Sequence, residues 1–503
     1  MSHFKPHWGV IALCMVAYIA ALSIRVYWTN CREELFLDES FTYSMIYKKS
    51  YLPEEIYNQW KTGREIKDLC VANTHPSVKE FAKDLKRLYF TTRADDHTNL
   101  FFVALRLFLN IIKINDFYDM RDYGVGFNCI LFTLSFFLFT VIYYKINGSL
   151  SYTLPLILLL AFASNGSVAT TLFIRMYQIQ ETLLLLLLTF SICLQNKYGW
   201  EGKIPIKDTL LFCICLSMLL LSGYYMLIFV FFLLTFMLFK YKNKFFIIFS
   251  GIMSIFFCFI AYNGYFDFLS SRRTTQAFNN FFDSSMRNIK NCLYGVIDVL
   301  DTINGFYLLT LLIFALAFFI AYKYYKSHKY NVLNTYFISG ILSVILIYFL
   351  APYKTYRYIS PFIILFYIPF IFYKPRKKII YIATLIIFNI FTLINVFNYP
   401  PYKVVHINKS NLSSYIESHK EAQLIAYENP PWAYHMIIPT LPDETNLYIA
   451  KTIDSLRSSI TPDSEYILLV PRGKKIDESL ASRVKDKMEA DLFSVYMLDK
   501  QKP

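Results

Sequence analysis

Two adjacent carboxylates, Asp38 and Glu39, follow the first long apolar stretch of the chain in the sequence LFLDESFTY. Carboxylates flanked by apolar residues near a membrane cost free energy unless they have a partner or a task. A carboxylate pair can act as a general base on a hydroxyl group or hold a divalent cation. The alternative is a pair of solvated acids in a loop, and these two residues alone do not separate the two interpretations.

A second polar group, Asp95, Asp96 and His97, opens a short apolar segment in RADDHTNLFFVALRL. Carboxylate and imidazole groups at the start of a predicted helix suit proton transfer or cation binding. Glu39, Asp96 and His97 are therefore candidate ligands of an optional divalent cation, and no other cofactor is predicted. The alternative is structural, with Asp96 or Thr98 capping the helix and His97 lying at the lipid–water boundary.

Two arginines stand at the start of apolar segments: Arg175 in IRMYQIQETLLLLLL and Arg357 in APYKTYRYISPF. Tyr177 and Tyr358 follow these arginines within two residues of sequence, and Glu181 adds a carboxylate six residues after Arg175. Arginine binds phosphate through paired hydrogen bonds, and charges within apolar segments are rare and commonly functional. The alternative is an arginine that only extends its charge to the membrane surface.

The composition identifies the elements that must position these residues. Of 503 residues, 56% are hydrophobic and 17% charged, whereas a soluble chain carries about a quarter charged residues. Since spans in lipid must satisfy their own backbone hydrogen bonds, long apolar runs predict helices. The sequence thus predicts an α-helical polytopic membrane protein with about 11–13 transmembrane helices. The clearest apolar runs are 8–27, 124–142, 152–172, 178–195, 207–221, 223–239, 245–265, 304–323, 333–352, 356–373 and 378–398.

The net charge of +14 does not indicate nucleic acid, because the basic residues cluster at the ends of the apolar runs. This is the positive-inside pattern, which places the clusters near 242, 326 and 375 in the cytoplasm. The acidic pair, both arginines and the C-terminus then face the other side. Segment 98–113 is too short to cross and is predicted to be a re-entrant or interfacial helix.

The chain is predicted to have a transmembrane domain, 1–399, and a small soluble extracytoplasmic domain, 400–503. The long first loop, 28–97, contains two amphipathic stretches, PEEIYNQWKTGREIKDL and SVKEFAKDLKRLYF, that suit juxtamembrane helices. The tail alternates helical patterns such as SLASRVKDKMEA with strand-like runs, which predicts an α/β domain. These runs are QLIAYEN, NLYIA, EYILLV and LFSVYML.

Five motifs in order resemble the GT-C superfamily of membrane glycosyltransferases, close to the protein O-mannosyltransferase, aminoarabinose transferase and rhizobial lipopolysaccharide-core transferase group. The resemblance covers about 1–400. The first matching element is Asp38-Glu39 after the first span. The second is DDHTNLFF, which resembles the family's D-x-H-P-P-L-Y-Y element with Thr98 and Asn99 in place of the two prolines. The other three are INDFYDMRDYG with Arg121, Arg175-Met176-Tyr177, and Arg357-Tyr358 with Pro361.

The resemblance implies a GT-C fold and transfer of a sugar from a polyprenyl-phosphate donor to a lipid, glycan or protein acceptor, with inversion. Asp38 would be the general base, and Glu39 or Asp96 would position it or hold the optional cation. Arg357, with Arg175 as second candidate, would neutralise the leaving phosphate. His97, Arg121, Tyr177 and Tyr358 complete the expected substrate-binding residues.

A transporter or flippase of lipid-linked saccharides is the alternative function. It would also place arginines near lipid phosphates, but it predicts polar residues deep within several spans and internal symmetry. The spans here are apolar at their centres, which favours the transferase. Many Phe, Tyr, Lys, Ile and Asn residues suggest an AT-rich bacterial genome, so the expected location is the bacterial inner membrane. In a eukaryote, the outer face would instead be the lumen of the endoplasmic reticulum.

Overall fold

The computed structural model divides the chain into two compact units. The first comprises 1–30, 89–104 and 125–402, and the second comprises 31–88, 105–124 and 403–503. The described residues are 8–31, 38–39, 42, 45–46, 54–70, 77–90, 100–112, 117–199, 202–262, 264–270, 274–276, 279, 286–325, 331–351, 355–401, 411–427, 441–489 and 493–500.

Helices dominate the chain, and the strands are few and short. The α-helices are α1 (Trp8–Asn30), α2 (Gly63–Cys70), α3 (Val78–Phe90), α4 (Leu100–Ile111), α5 (Phe117–Asn147), α6 (Thr153–Phe162), α7 (Asn165–Leu172), α8 (Tyr177–Tyr198), α9 (Ile206–Leu221), α10 (Tyr225–Lys240), α11 (Lys244–Ala261), α12 (Met286–Asn304), α13 (Tyr307–Tyr324), α14 (Asn331–Leu350), α15 (Ser360–Ile363), α16 (Ile368–Phe372), α17 (Lys378–Asn398), α18 (Asn411–Ser418), α19 (Ile453–Ser459) and α20 (Glu478–Ala481). The strands are β1 (Trp60–Thr62), β2 (Gln423–Tyr427), β3 (Asn446–Ala450), β4 (Tyr466–Pro471), β5 (Val484–Glu489) and β6 (Phe493–Leu498).

Within the described residues, seven helices are long and apolar enough to cross a membrane, namely α1, α5, α8, α11, α13, α14 and α17. An eighth crossing results if the bent pair α6 and α7 counts as one span. Lipid requires such segments to satisfy their backbone groups internally, which an α-helix does. The chain is therefore a multi-pass membrane protein.

Helices α9 and α10 cover the predicted runs 207–221 and 223–239, with 16 residues each. The structure interrupts two other apolar runs that hydropathy alone presents as continuous spans, 356–373 and 152–172. The run 356–373 is divided into short α and 3₁₀ turns, from Tyr356–Tyr358 to α16. Proline at the start of both α15 and α16 accounts for these breaks, since it removes a backbone donor from the helix.

The predicted span 152–172 is bent by 58° between α6 and α7. Ser164 caps α7, and its hydroxyl accepts a hydrogen bond from the backbone N–H of Ser167 (3.3 Å). A side chain at Gly166 would collide with the Tyr356 phenol, so glycine is required for this close approach. The Ser-Asn-Gly sequence thus ends one helix and starts another inside an otherwise apolar run.

The second unit is built on a six-stranded sheet of order β1-β3-β2-β4-β6-β5. Strands β3, β2 and β4 are parallel neighbours, and the outer strands pair antiparallel. The four runs predicted as strands in the tail form β2, β3, β4 and β6. Strand β1 comes from the first loop, with Trp60 opposite Tyr448.

Both faces of the sheet are covered by helices. One face packs against α2 and α18 through Ile66, Leu412 and Ile416, and the other against α19 and α20 through Leu456 and Leu480. Strands buried on both faces read as continuous apolar runs, as ILLV in β4 does. The small α/β domain predicted from the tail is therefore present, with part of the first loop added to it.

One helical expectation for the second unit is corrected. SLASRVKDKMEA forms a helix only at α20 and then becomes β5, because Arg483 turns the chain by donating to the backbone oxygens of Asp499 (2.9 Å) and Ser464 (3.0 Å). The charged outer positions of β5 suit an edge strand. In the first loop, the stretch PEEIYNQWKTGREIKDL contains β1 and α2.

Substitution of Gly63 by alanine is expected to destabilise the second unit. Gly63 begins α2, and an added Cβ would collide with the backbone carbonyl oxygen of Pro442. Overpacking against backbone costs about 1–3 kcal/mol. Limited proteolysis with mass spectrometry should show faster cleavage within 411–500. Gly126→Ala is the control, because no atom lies within 4 Å of the added methyl group. Equal protection of Gly63→Ala and wild type would contradict this.

Candidate active site

Asp38 and Glu39 lie in helical backbone of the second unit. Glu39 is fully buried, and Asp38 is half-buried. The Thr42 hydroxyl donates a hydrogen bond to the backbone oxygen of Asp38 (3.2 Å) and fixes this turn. The Glu39 carboxylate thus lies inside the protein, whereas Asp38 keeps part of its surface exposed.

The predicted cation ligands are only partly covered by the structure. Asp95, Asp96 and His97 lie outside the described residues, and Arg121 lies in α5 with only its backbone described. No group of three or more His, Cys, Asp or Glu side chains with metal-binding geometry occurs among the residues that are described. A cation held by Glu39 and the residues near 96 stays a prediction.

Arg175 and Tyr177 lie in the first unit, at the turn between α7 and α8. Both side chains are buried. The backbone N–H of Arg175 donates to the carbonyl oxygen of Phe173 (2.7 Å), and the Tyr177 ring stacks on that of Phe173 at 5.8 Å between centroids. The turn is therefore fixed on both sides of the arginine.

Arg357 and Tyr358 also lie in the first unit, in a 3₁₀ turn. Nη2 of Arg357 donates to Oη of Tyr358 (3.2 Å), and the guanidinium carbon lies 5.0 Å from the tyrosine ring centroid. The Tyr358 ring packs edge-on against Tyr225 at 5.3 Å. Half-buried and held by an aromatic neighbour, this guanidinium is suited to binding a phosphate group.

The helices next to the two arginines contact each other. Helix α15, which follows Arg357 directly, packs against α7 and α8, the helices on either side of Arg175. Tyr356, next to Arg357, lies against α7, with its hydroxyl 3.5 Å from that of Thr170. The structure thus brings the two arginine turns together in one unit, while Asp38 and Glu39 belong to the other unit.

A buried arginine that the sequence analysis did not select, Arg25 in α1, lies in the same unit as Arg175. Its Nη1 donates to the carbonyl oxygens of Ala21 (2.9 Å) and Phe162 (2.8 Å), and its Nη2 donates to Oγ of Ser167 (2.8 Å). Nε donates to Oγ1 of Thr171 (2.9 Å), and the guanidinium lies 3.7 Å from the Phe132 ring centroid. Arg25 therefore binds both sides of the break between α6 and α7.

The hydrogen bonds continue from Thr171 into α8. The Thr171 hydroxyl donates to Oε1 of Gln178 (2.8 Å), and Nε2 of Gln178 donates to Oε1 of Glu181 (3.1 Å). Asn128 in α5 donates to the carbonyl oxygens of both Thr171 and Phe173, each at 2.9 Å. All these side chains are buried.

This network, consisting of Arg25, Asn128, Thr171, Gln178 and Glu181, holds the segment 173–176 between two fixed ends. Arg175 lies in that segment, so the network positions the turn that carries it. The signal that could have revealed it is Arg25 itself, an isolated charge in a long apolar helix. Its partners are single polar residues, and nothing in the sequence indicates that they contact Arg25.

The described residues thus form a helical membrane unit that contains two arginine turns, and a small α/β unit. No protein-family model and no curated protein matches the chain.

Among solved structures, the chain is similar to ArnT from Cupriavidus metallidurans bound to undecaprenyl phosphate, with a TM-score of 0.53 and 11% sequence identity. The match covers 97% of this chain and 99% of that one. The fold class predicted from the sequence is thereby confirmed.

Proposed function

We propose that this protein is an inverting glycosyltransferase that moves a sugar from a polyprenyl-phosphate-linked donor to a glycolipid, polysaccharide or protein acceptor. The observation that carries the proposal is the similarity of fold along 97% of the chain to a protein bound to undecaprenyl phosphate. The reaction is assigned to the extracytoplasmic face of the bacterial inner membrane, with the C-terminus on that face.

The donor phosphate is assigned to Arg357 and Arg175. Negative charge on the phosphate grows as its bond to the anomeric carbon breaks, and fixed cations stabilise that charge most in the transition state. Fixed positions for both arginines support this role, Arg357 through Tyr358 and Arg175 through the buried network. Tyr177, Tyr358, Arg121 and His97 are assigned to substrate binding.

Asp38 is assigned the role of general base on the acceptor hydroxyl. Its carboxylate takes the hydroxyl proton as the oxygen attacks the anomeric carbon from the face opposite the phosphate. The phosphate leaves with the electron pair of the broken bond, as free polyprenyl phosphate. Glu39 and Asp96 are assigned to positioning the base, and with His97 they are the residues that would hold an optional divalent cation.

The proposed reaction is tested with purified protein in detergent. Native mass spectrometry should detect co-purified polyprenyl phosphate, and radiolabelled polyprenyl-phosphate sugars should transfer label to crude membrane acceptors with release of free carrier. Bound carrier without label transfer, together with movement of the sugar-lipid across a reconstituted bilayer, would instead identify a transporter or flippase. The absence of both carrier binding and label transfer would overturn the proposal.

Arg357→Ala is expected to weaken donor binding. Hydrogen bonds to charged groups contribute about 1.5–3 kcal/mol, so the KM for the donor should rise roughly 10- to 100-fold. Arg357→Lys should recover part of the loss, because lysine keeps the charge without the paired donors. The control is Arg376→Ala, which removes an exposed arginine of the same unit. An unchanged donor KM in Arg357→Ala would assign the phosphate to another group.

A further inference from the structure

A crevice of about 300 Å³ opens in the second unit, at the carboxyl ends of β2 and β4. Its inner wall is apolar and includes Leu456, Leu468 and Val470, all buried. Tyr427, the last residue of β2, lines one side. A volume of this size accommodates a small ligand and not a folded partner.

The strand order places this crevice where open α/β sheets bind ligands. Strand β2 lies between β3 and β4 and pairs in parallel with both. The strand that follows β2 in sequence, β3, lies on one side of the β2–β4 pair, whereas the strands that follow β4, β5 and β6, lie on the other side. The carboxyl ends of two adjacent strands at such a change of direction in the strand order are the usual ligand position in open α/β sheets.

Two lysines give the mouth of the crevice a positive charge. Lys474 and Lys475 are exposed and follow the tight turn after β4, which Gly473 closes with a φ of +88°. Nζ of Lys474 lies 5.9 Å from the Tyr427 ring centroid. Within the described part of the chain, no carboxylate lies within ion-pair distance of either ammonium group.

The acidic residue in the lining, Asp477, is already engaged by the protein. Oδ1 accepts hydrogen bonds from the hydroxyl and the backbone N–H of Ser479 (2.9 Å for the latter), and Oδ2 accepts from Nη2 of Arg457 (2.9 Å). Ser479 and Arg457 hold the pKa of Asp477 below its usual value. Its charge is balanced by Arg457, so the two lysines determine the charge that the ligand must carry.

The combination of an apolar wall, a tyrosine and two ammonium groups that form no ion pair within the described residues indicates the chemistry of the ligand. Lysine ammonium groups bind phosphate oxygens through charge-assisted hydrogen bonds. The face of an aromatic ring packs well against the C–H groups of a sugar ring. We propose that this crevice binds a phosphorylated saccharide, with Lys474 and Lys475 on the phosphate and Tyr427 against the sugar ring.

The test uses the full-length protein in detergent, with equilibrium dialysis of glucose 1-phosphate, inorganic phosphate and glucose. Glucose 1-phosphate should bind saturably and more tightly than either component. The double variant Lys474→Gln/Lys475→Gln should weaken its binding at least tenfold. Tyr427→Leu should weaken glucose 1-phosphate binding and leave inorganic phosphate binding unchanged.

Lys485→Gln/Lys500→Gln is the matched control, because it removes the same charge from exposed positions of the same unit outside the crevice. Equal weakening in this control, equal binding of glucose and glucose 1-phosphate, or no saturable binding would overturn the proposal. Because the crevice contains none of the residues assigned to sugar transfer, this outcome is independent of the radiolabel assay.

The phosphorylated ring belongs either to a soluble saccharide or to a lipid headgroup, and an experiment with the protein in nanodiscs distinguishes the two sources. Phosphatidylcholine nanodiscs containing phosphatidylinositol 4-phosphate should displace glucose 1-phosphate if the natural ligand is a headgroup. Retention of bound glucose 1-phosphate would assign the site to a soluble saccharide. Displacement that persists in Lys474→Gln/Lys475→Gln would contradict a role for the crevice.

Discussion

Asp38→Asn is expected to lower kcat for sugar transfer by roughly 100- to 10,000-fold, the usual contribution of a general base. Asparagine has the same shape as aspartate but cannot take the proton of the acceptor hydroxyl. The hydrogen bond from Thr42 to residue 38 is accepted by the backbone oxygen and not by the carboxylate, so it should persist. Binding of the polyprenyl-phosphate carrier should therefore stay close to that of the wild type.

The measurement is the initial rate of label transfer at saturating donor, with carrier binding measured in parallel by native mass spectrometry. Asp68→Asn is the matched control, because Asp68 is an exposed aspartate of the same unit. Near-normal transfer by Asp38→Asn would remove Asp38 from the role of base. The same assay would then be applied to Glu39→Gln and Asp96→Asn.

Arg25→Met is expected to have the largest effect on stability. Methionine fills similar space, but the variant leaves the carbonyl oxygen of Phe162 and the hydroxyls of Ser167 and Thr171 without their donor. Each buried group that loses its partner costs about 1–3 kcal/mol, so the sum is about 3 kcal/mol or more. Size-exclusion chromatography after stepwise heating in detergent should show loss of the monodisperse peak at a lower temperature.

Arg25→Lys provides the graded comparison. Lysine keeps the charge, but its single ammonium group cannot reach acceptors on both sides of the helix break at once, so its loss should be intermediate. Met15→Leu, an exposed position on the same helix, should behave as wild type. Wild-type heat resistance in Arg25→Met would show that the bend between α6 and α7 does not need this arginine.

Much of the fold could be predicted because apolar length and strand-like runs are local properties. The run ILLV in β4 is short and has β-branched residues at both ends, and these local features predict a buried strand. Strand β1 has only three residues, and its partner β3 lies at the other end of the sequence. Nothing local to Trp60–Thr62 could indicate that pairing.

The candidate site was only partly predictable for the same reason. Arg175 and Arg357 are conspicuous because each is a charge at the start of an apolar run. The contacts that fix Arg175 come instead from Arg25 and Asn128, which are distant in sequence and belong to other helices. The bend at Ser164 was missed because the apolar run around it has the length of one span.

The pairing of β1 with β3 in one sheet restricts the number of times that the chain can cross the membrane between them. Its strands come from residues 60–62 and 423–498, so the segment that carries β1 and the tail that carries the other strands must lie on the same side of the bilayer. The number of crossings between Phe90 and Leu412 must then be even. Among the residues that the structure describes, the six long helices after α1 satisfy this by themselves. If the bent pair α6 and α7 also crosses, an odd number of shorter apolar helices must cross with it.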